Sequence, residues 1–199
     1  CSYRVEKQLN AFLHNIYYHY VSKRNKKHLK HIKNNGFIIQ PHIGDARESI
    51  RTLSGRYDIV FLDAFTPAKL PTLWSLEFFN QLFELMNENA LLITYSNSAA
   101  VRHAMLESGF SVGKLFDKQN RHCGTIASKN NALIINKLDE YDMGLIKTNA
   151  GVYFRDKNLN TSAEEILKEW QERKEYLKLP SSSSFIKKYK KQSEAKCTI

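Results

Sequence analysis

The chain has 199 residues, of which 42% are hydrophobic and 25% charged, so it is long enough for one sizeable core and short for two. Its apolar runs fall well short of the ~20 residues that cross a bilayer, which excludes insertion as a transmembrane helix. Lys and Arg outnumber Asp and Glu by 30 to 20, and the resulting net charge of +10 favours a polyanionic partner, although many cytosolic proteins are merely basic.

The first part of the chain alternates between helical and strand patterns. Apolar residues at steps of three and four predict an amphipathic helix over residues 7–22, and a basic stretch over residues 23–33 is either a phosphate-facing patch or a solvated helix face. A strand over residues 37–45 and a short helix over residues 47–53 follow. The nearly continuous apolar run over residues 57–62 predicts a strand in a sheet covered on both faces.

The alternation continues through the second part. Helices are predicted over residues 74–86, 99–107 and 165–177, and strands over residues 91–95, 110–116 and 132–138, the last two forming a hairpin joined through residues 121–124. This order predicts an α/β fold with a mostly parallel, doubly wound sheet. We expect one domain over residues 1–179, followed over residues 180–199 by a Ser-rich break and a basic flexible tail.

Acidic residues follow several predicted strands. Glu6, Asp45 and Asp63 each stand at such a position, and ligands of open α/β sheets bind beyond the carboxyl ends of the strands. An acid at one strand end is more often a helix cap or turn residue, but three at successive ends indicate a site. The two prolines of segment 63–71 stiffen the loop that holds Asp63 against a reacting group, the alternative being a turn that caps the next helix.

Cysteine and histidine spacing indicates neither a disulfide framework nor a metal. Cys1, Cys123 and Cys197 lack paired spacing, which favours reduced thiols in the cytoplasm. Residues 3–8 are charged, unlike a signal peptide. The seven histidines have no Cys or carboxylate partner at ligand spacing, so we expect no metal site.

Residues 57–69, with Pro71 and Trp74, resemble the signature of the MnmC/MnmD-type tRNA methyltransferases. Further matching segments follow in that family's order: residues 44–47, 94–96 with Val101 and Arg102, 109–110, Arg121 with 124–128, and 154–156. The resemblance implies a Rossmann-like class I methyltransferase that uses S-adenosylmethionine to methylate the aminomethyl group on the wobble uridine of tRNA (nm5U34 to mnm5U34). It implies a cytoplasmic enzyme that grips the anticodon arm, and it leaves open an association with an oxidase domain or other tRNA-modification partners.

The resemblance also assigns roles to residues. Glu6 would accept hydrogen bonds from the ribose hydroxyls of the cofactor, and Asp45 would contact the adenine amino group with Ala46 beside the ring. Asp63 would lie near the transferred methyl group and serve the substrate amine as proton acceptor or orienting group. The substrate would contact Phe65, Pro67, Lys69, Trp74 and Arg121, although core packing is as good an interpretation of Phe65 and Trp74, and a solvated loop of Arg121.

Two departures from the family pattern stand out. Class I methyltransferases cradle the cofactor with a glycine-rich loop after the first strand, and we find none in this sequence. We therefore expect the first strand and that loop to precede Cys1, so that this chain is an amino-terminally truncated piece that binds the cofactor weakly or not at all. Leu70 stands where relatives often carry a polar residue. Alternative functions are an aminopropyltransferase resembling spermidine synthase and a non-catalytic basic RNA-binding module.

Overall fold

The structure, a computed structural model, describes residues 32–34, 37–40 and 42–196 in two units, Cys1–His42 and Ile43–Ile199. In the first unit, β1 (Ile32–Asn34) and β2 (Phe37–Ile39) pair antiparallel. The strand predicted over residues 37–45 is therefore present only as Phe37–Ile39, and it pairs with the strand before it. Glu6 and the predicted helix over residues 7–22 lie outside the described residues.

The second unit is built on a four-stranded sheet. Its strands are β3 (Tyr57–Leu62), β4 (Met86–Thr94), β5 (Ser111–Phe116) and β6 (His122–Ser128), in the order β3-β4-β6-β5. The first pair is parallel, whereas β6 runs antiparallel to both β4 and β5. The fold is thus α/β, as the helix and strand alternation predicts. The described sheet is mixed and not mostly parallel, since only the β3–β4 pair is parallel and β6 follows β5 in an antiparallel hairpin.

Helices connect and flank these strands. They are α1 (Ala46–Thr52), α2 (Leu76–Leu85), α3 (Ala99–Glu107), α4 (Glu140–Ile146), α5 (Ala163–Leu177) and α6 (Ser182–Lys196). Local chemistry explains several of their starts: the Ser75 hydroxyl accepts from the Phe78 N–H at the start of α2, and Ser162 with Glu165 forms a capping box on α5. A 3-10 turn, Pro71–Trp74, leads into α2.

The core of this unit lies between the helices and one face of the sheet. Its fully buried members include Trp74, Phe79, Met86, Leu92 and Met105. Because Trp74 and Phe79 come from the segment just after the predicted catalytic loop, burial of that segment fixes the loop to the body of the domain.

Two strand predictions need correction. The strand predicted over residues 132–138 is not formed, and only an isolated antiparallel bridge joins Lys137 to Gly113 of β5. The hairpin partner of β5 is instead His122–Ser128, where Thr125 and Ala127 are fully buried. In the segment predicted instead, Ile134 is buried but Ile135 is 89% exposed. Among the described residues, β3 is an edge strand on which Ile59 and Phe61 are exposed, so the predicted cover over both of its faces is not seen there.

The carboxyl-terminal segment differs from the predicted flexible tail. Residues Ser182–Lys196 form α6, and Phe185 and Tyr189 of this helix pack their rings against Tyr141 of α4. Aromatic contacts give the helix a fixed place, although its composition is dominated by Ser and Lys. Among the helices of the described residues, none combines the length and the apolar character needed to cross a membrane.

Candidate functional site

The parallel strands β3 and β4 end side by side, and this edge carries the first part of the candidate site. Leu62 and Thr94 are register partners at the two strand ends, so Asp63 and Tyr95 follow at the same edge of the sheet. The carboxylate of Asp63 is exposed there. A carboxylate and an aromatic ring at the carboxyl ends of parallel strands stand where α/β folds bind ligands.

Two aromatic side chains hold the loop after β3 by hydrogen bonds to its backbone carbonyls. The indole Nε1 of Trp74 donates to the Phe65 carbonyl at 2.7 Å, and the Tyr95 hydroxyl donates to the Ala64 carbonyl at 2.7 Å. The two rings meet edge to face, with centroids 6.2 Å apart. These contacts fix the backbone next to Asp63, as the stiff-loop prediction requires.

Trp74 cannot stack a substrate base as predicted, because its side chain is fully buried beneath the loop. The expectation of core packing for this residue is correct, and its contribution to the site is to hold the Phe65 carbonyl. Phe65 is 74% exposed and remains available for stacking. Tyr95, at 42% exposure, is the second accessible ring. Sequence reasoning missed its place in the site because it took Tyr95 as the last residue of the predicted strand, whereas β4 ends at Thr94.

The remaining predicted substrate contacts lie on loops at the same edge. Lys69 is exposed and Pro67 is half-buried, and the Lys69 N–H donates to the Thr66 carbonyl at 2.8 Å within the loop. Arg121 lies in the turn before β6, which runs antiparallel to β4 and therefore starts at the carboxyl end of β4. Its guanidinium pairs with Asp117 at 2.7 Å, which closes the turn and leaves the side chain largely exposed.

A buried arginine fixes the loop after β4. Arg102 of α3 donates to the Thr125 hydroxyl at 2.9 Å and pairs with Asp142 at 2.9 Å. Thr125 in turn donates to the Ser96 carbonyl at 2.7 Å. Burial lowers the pKa of Arg102 from its usual value, and the adjacent Asp142 opposes that change. The resemblance includes Arg102 without a role, and the structure places it under the loop that carries Tyr95.

Asp45 and Ala46 lie at the start of α1. The Asp45 carboxylate caps this helix by accepting from the Arg47 N–H at 2.8 Å, and the Arg47 guanidinium grips the same carboxylate at 2.7 Å. This hydrogen bonding lowers the pKa of Asp45 below its usual value, so the group is an ionised acceptor at neutral pH.

The described residues fit the polar groups of the predicted cofactor. The Asp45 side chain keeps 38% of its surface exposed, so it can accept a further hydrogen bond from a donor such as an amino group. The Asp63 carboxylate is likewise exposed. The structure therefore brings Asp63, Phe65 and Tyr95 together at one edge and presents Asp45 with Ala46 at a helix start, while Glu6 lies outside the described residues.

Comparison with known sequences finds a methyltransferase family. The sequence model of a family described as S-adenosyl-L-methionine-dependent methyltransferase matches residues 7–130. An uncharacterized protein of Methanocaldococcus jannaschii is 31% identical over 141 residues, covering 70% of this chain and 40% of that protein. The tRNA 5-methylaminomethyl-2-thiouridine biosynthesis bifunctional protein MnmC of Burkholderia multivorans is 42% identical over 72 residues, which are 36% of this chain and 11% of that protein.

A solved structure agrees with these sequence matches. The crystal structure of MNMC2 from Aquifex aeolicus superposes with a TM-score of 0.66 at 28% identity, covering 76% of this chain and 48% of that one. The chain thus spans less than half the length of each of these three relatives.

Proposed function

Because the chain belongs to the family of S-adenosyl-L-methionine-dependent methyltransferases, and to its MnmC type, we propose that it methylates the aminomethyl group on the wobble uridine of tRNA (nm5U34 to mnm5U34). The observation that carries this proposal is the edge where Asp63, Phe65 and Tyr95 converge beyond β3 and β4. A tRNA-modifying relative supports the substrate class, since the MnmC protein is named for 5-methylaminomethyl-2-thiouridine biosynthesis in tRNA.

The cofactor, when bound, supplies an electrophilic methyl group on a sulfonium. In the proposed site, Asp45 would accept a hydrogen bond from the adenine amino group, with Ala46 beside the ring. A carboxylate suits this task because it is a strong acceptor for amino donors.

Asp63 serves the incoming amine. A primary amine attacks carbon only through a free lone pair, so it must arrive neutral or lose a proton. An exposed carboxylate at the strand end accepts an N–H hydrogen bond, aims the lone pair and takes the proton that the product amine releases. Holding the amine and the methyl group in line supplies much of the rate.

Phe65 and Tyr95 hold the base. Both rings are exposed at the same edge as Asp63, and stacking on an aromatic ring contributes about 1–3 kcal/mol per base. Lys69 and Arg121, both exposed on loops at this edge, contact the phosphates of the anticodon arm. An oxidase domain or another modification enzyme supplies the aminomethyl uridine.

The experiment that tests this function is a product analysis. The intact protein is incubated with S-adenosylmethionine and tRNA that carries the aminomethyl wobble uridine, and the digested nucleosides are identified by mass spectrometry. We expect the aminomethyl nucleoside to be replaced by its N-methyl form. Methylation of another nucleoside, aminopropyl transfer from decarboxylated cofactor, or RNA binding without product would contradict the proposal.

A further inference from the structure

The segment Phe154-Arg155-Asp156 is connected to the proposed adenine site through one arginine. Arg47 Nη2 lies 2.7 Å from Asp45 Oδ2, and Arg47 Nη1 lies 2.7 Å from Asp156 Oδ2. Asp156 is 109 residues further along the chain than Arg47, so this bridge ties the start of α1 to the segment that precedes α5.

Asp156 is the fixed end of this bridge. Its side chain is fully buried, and its Oδ1 accepts from the backbone N–H groups of Asn160 and Thr161 at 3.1 Å each. Its own N–H donates to Glu77 of α2 at 2.7 Å. A buried carboxylate persists only when it is paired and hydrogen-bonded, and here both oxygens are satisfied by groups that cannot move independently.

Arg47 contacts both carboxylates, so it links the position of Asp45 to that of the buried Asp156. Its side chain is 11% exposed, and its Nη1 donates both to Asp156 and to the Thr161 carbonyl, while Nε and Nη2 grip the Asp45 carboxylate. The guanidinium is planar and rigid, so fixing one side of the fork fixes the other. Asp45, by contrast, lies on the surface. Without the guanidinium, its Oδ1 would keep the helix-cap hydrogen bond from the Arg47 N–H, but its Oδ2 would lose the contacts that fix its orientation.

We propose that Arg47 and Asp156 are positioning residues that hold the Asp45 carboxylate in one orientation, and thereby set the preference of the site for a purine with an exocyclic amino group. The inference rests on the proposed function, in which Asp45 accepts from adenine. An ionised carboxylate held in place accepts from an amino group and repels the oxygen of a 6-oxo purine, whereas a mobile one discriminates poorly.

The test compares two product-like compounds. S-adenosylhomocysteine and its 6-oxo counterpart, S-inosylhomocysteine, are titrated into the intact protein by calorimetry. We expect the wild type to prefer the adenosyl compound by about tenfold or more, because a site built for a hydrogen-bond donor rejects an analogue that lacks it. In Arg47→Met and Asp156→Asn the preference falls to within about threefold. Arg47→Lys also loses it, since one ammonium group cannot span both carboxylates.

Arg155→Ala is the matched control. Arg155 lies beside Asp156 and pairs with Glu77 at 2.6 Å, so its loss perturbs the same segment without touching the grip on Asp45. We expect this variant to keep the wild-type preference, and thermal unfolding shows which variants are folded.

The outcomes separate this inference from the proposed function. An unchanged preference in folded Arg47→Met and Arg47→Lys, or an equal loss in Arg155→Ala, would overturn the positioning role. If Asp45→Asn abolishes the preference while Arg47→Met keeps it, Asp45 remains the adenine contact and only the bridge fails.

Discussion

Trp74 and Tyr95 are in edge-to-face contact, yet they serve the site differently. Trp74 is fully buried and holds the loop through the Phe65 carbonyl, whereas Tyr95 reaches solvent and holds the loop through Ala64. Two aromatic rings are therefore accessible at this edge: Tyr95, directly after β4, and Phe65, in the loop after β3.

The exposed ring of Tyr95 leads to a prediction about tRNA binding. Replacing Tyr95 with Ala removes a stacking surface, so we expect KM for tRNA to rise about tenfold, the equivalent of one lost base stack. Tyr95→Phe keeps the ring and loses the hydrogen bond to Ala64, and it should keep KM near the wild-type value. Steady-state kinetics with both variants checks this, and an unchanged KM in Tyr95→Ala would exclude stacking.

Asp63 can be proposed from the sequence itself, because it stands at the start of a proline-stiffened loop after an apolar strand, whereas the role of Phe65 is implied only by the family resemblance. The burial of Trp74 is not predictable in the same way, since it depends on how the 3-10 turn Pro71–Trp74 packs into the core. The bridge from Asp45 through Arg47 to Asp156 joins residues far apart in the chain, so no local sequence pattern predicts it.

At the scale of elements, prediction succeeds where periodicity is long or a stop signal is present. β3 and α3 occur at the predicted residues, and Gly109, with φ of +96°, follows the end of α3 in the left-handed conformation that favours glycine. The seven-residue α4 is too short for periodicity to reveal it. α6 was missed because only a few of its residues pack, and its remaining composition is that of a tail.

The start of α4 is capped by Asp139, a titratable carboxylate that pairs with Lys114. Lys114 donates to Asp139 at 2.6 Å, and this hydrogen bond lowers the pKa of Asp139 from 3.8 to about 2. A lowered pKa in the folded state stabilises the protein above pH 3.8, and that stabilisation is lost as the pH falls from 3.8 toward 2. Asp139→Asn keeps a helix cap and loses the charge.

We therefore expect Asp139→Asn to lower the midpoint of urea unfolding at neutral pH, with a difference from wild type that shrinks as the pH falls below 3.8. A difference that stays constant across this range would contradict the role of the Lys114 pair.

Docking of α6 depends on Gly144. A Cβ built on this glycine would lie 2.1 Å from Cζ of Phe185, so the ring occupies the space that a side chain would need. Gly144→Leu should displace α6 and increase amide hydrogen exchange in that helix about tenfold or more. Met143→Ala changes an exposed neighbour on α4 and serves as the control. Unchanged protection of α6 in Gly144→Leu would show that Phe185 does not anchor it.

At the scale of the whole molecule, the net charge of +10 bears on RNA binding. If lysines and arginines contact phosphates, tRNA binding releases counterions, and we expect log K against log salt to fall with a slope of about −3 or steeper. Filter binding or fluorescence titration over a range of salt concentrations measures this slope. A flat response would leave the positive charge without a role in tRNA recognition.

The resemblance over nearly the whole chain predicts the family, the cofactor and the α/β fold class, and the comparisons confirm all three. Residue-by-residue contacts with cofactor and RNA remain predictions, because they depend on side chains of loops and helix starts that sequence order alone does not bring together.

The most direct measurement of the central claim is the effect of Asp63→Ala on methyl transfer and on tRNA affinity in the same preparation. We predict that kcat falls at least about 100-fold while the Kd for tRNA stays within about twofold, since the carboxylate acts on the amine and not on the phosphates. Asp58→Ala, which removes an exposed carboxylate from the opposite end of β3, should leave both quantities unchanged. Full turnover by Asp63→Ala would contradict the account.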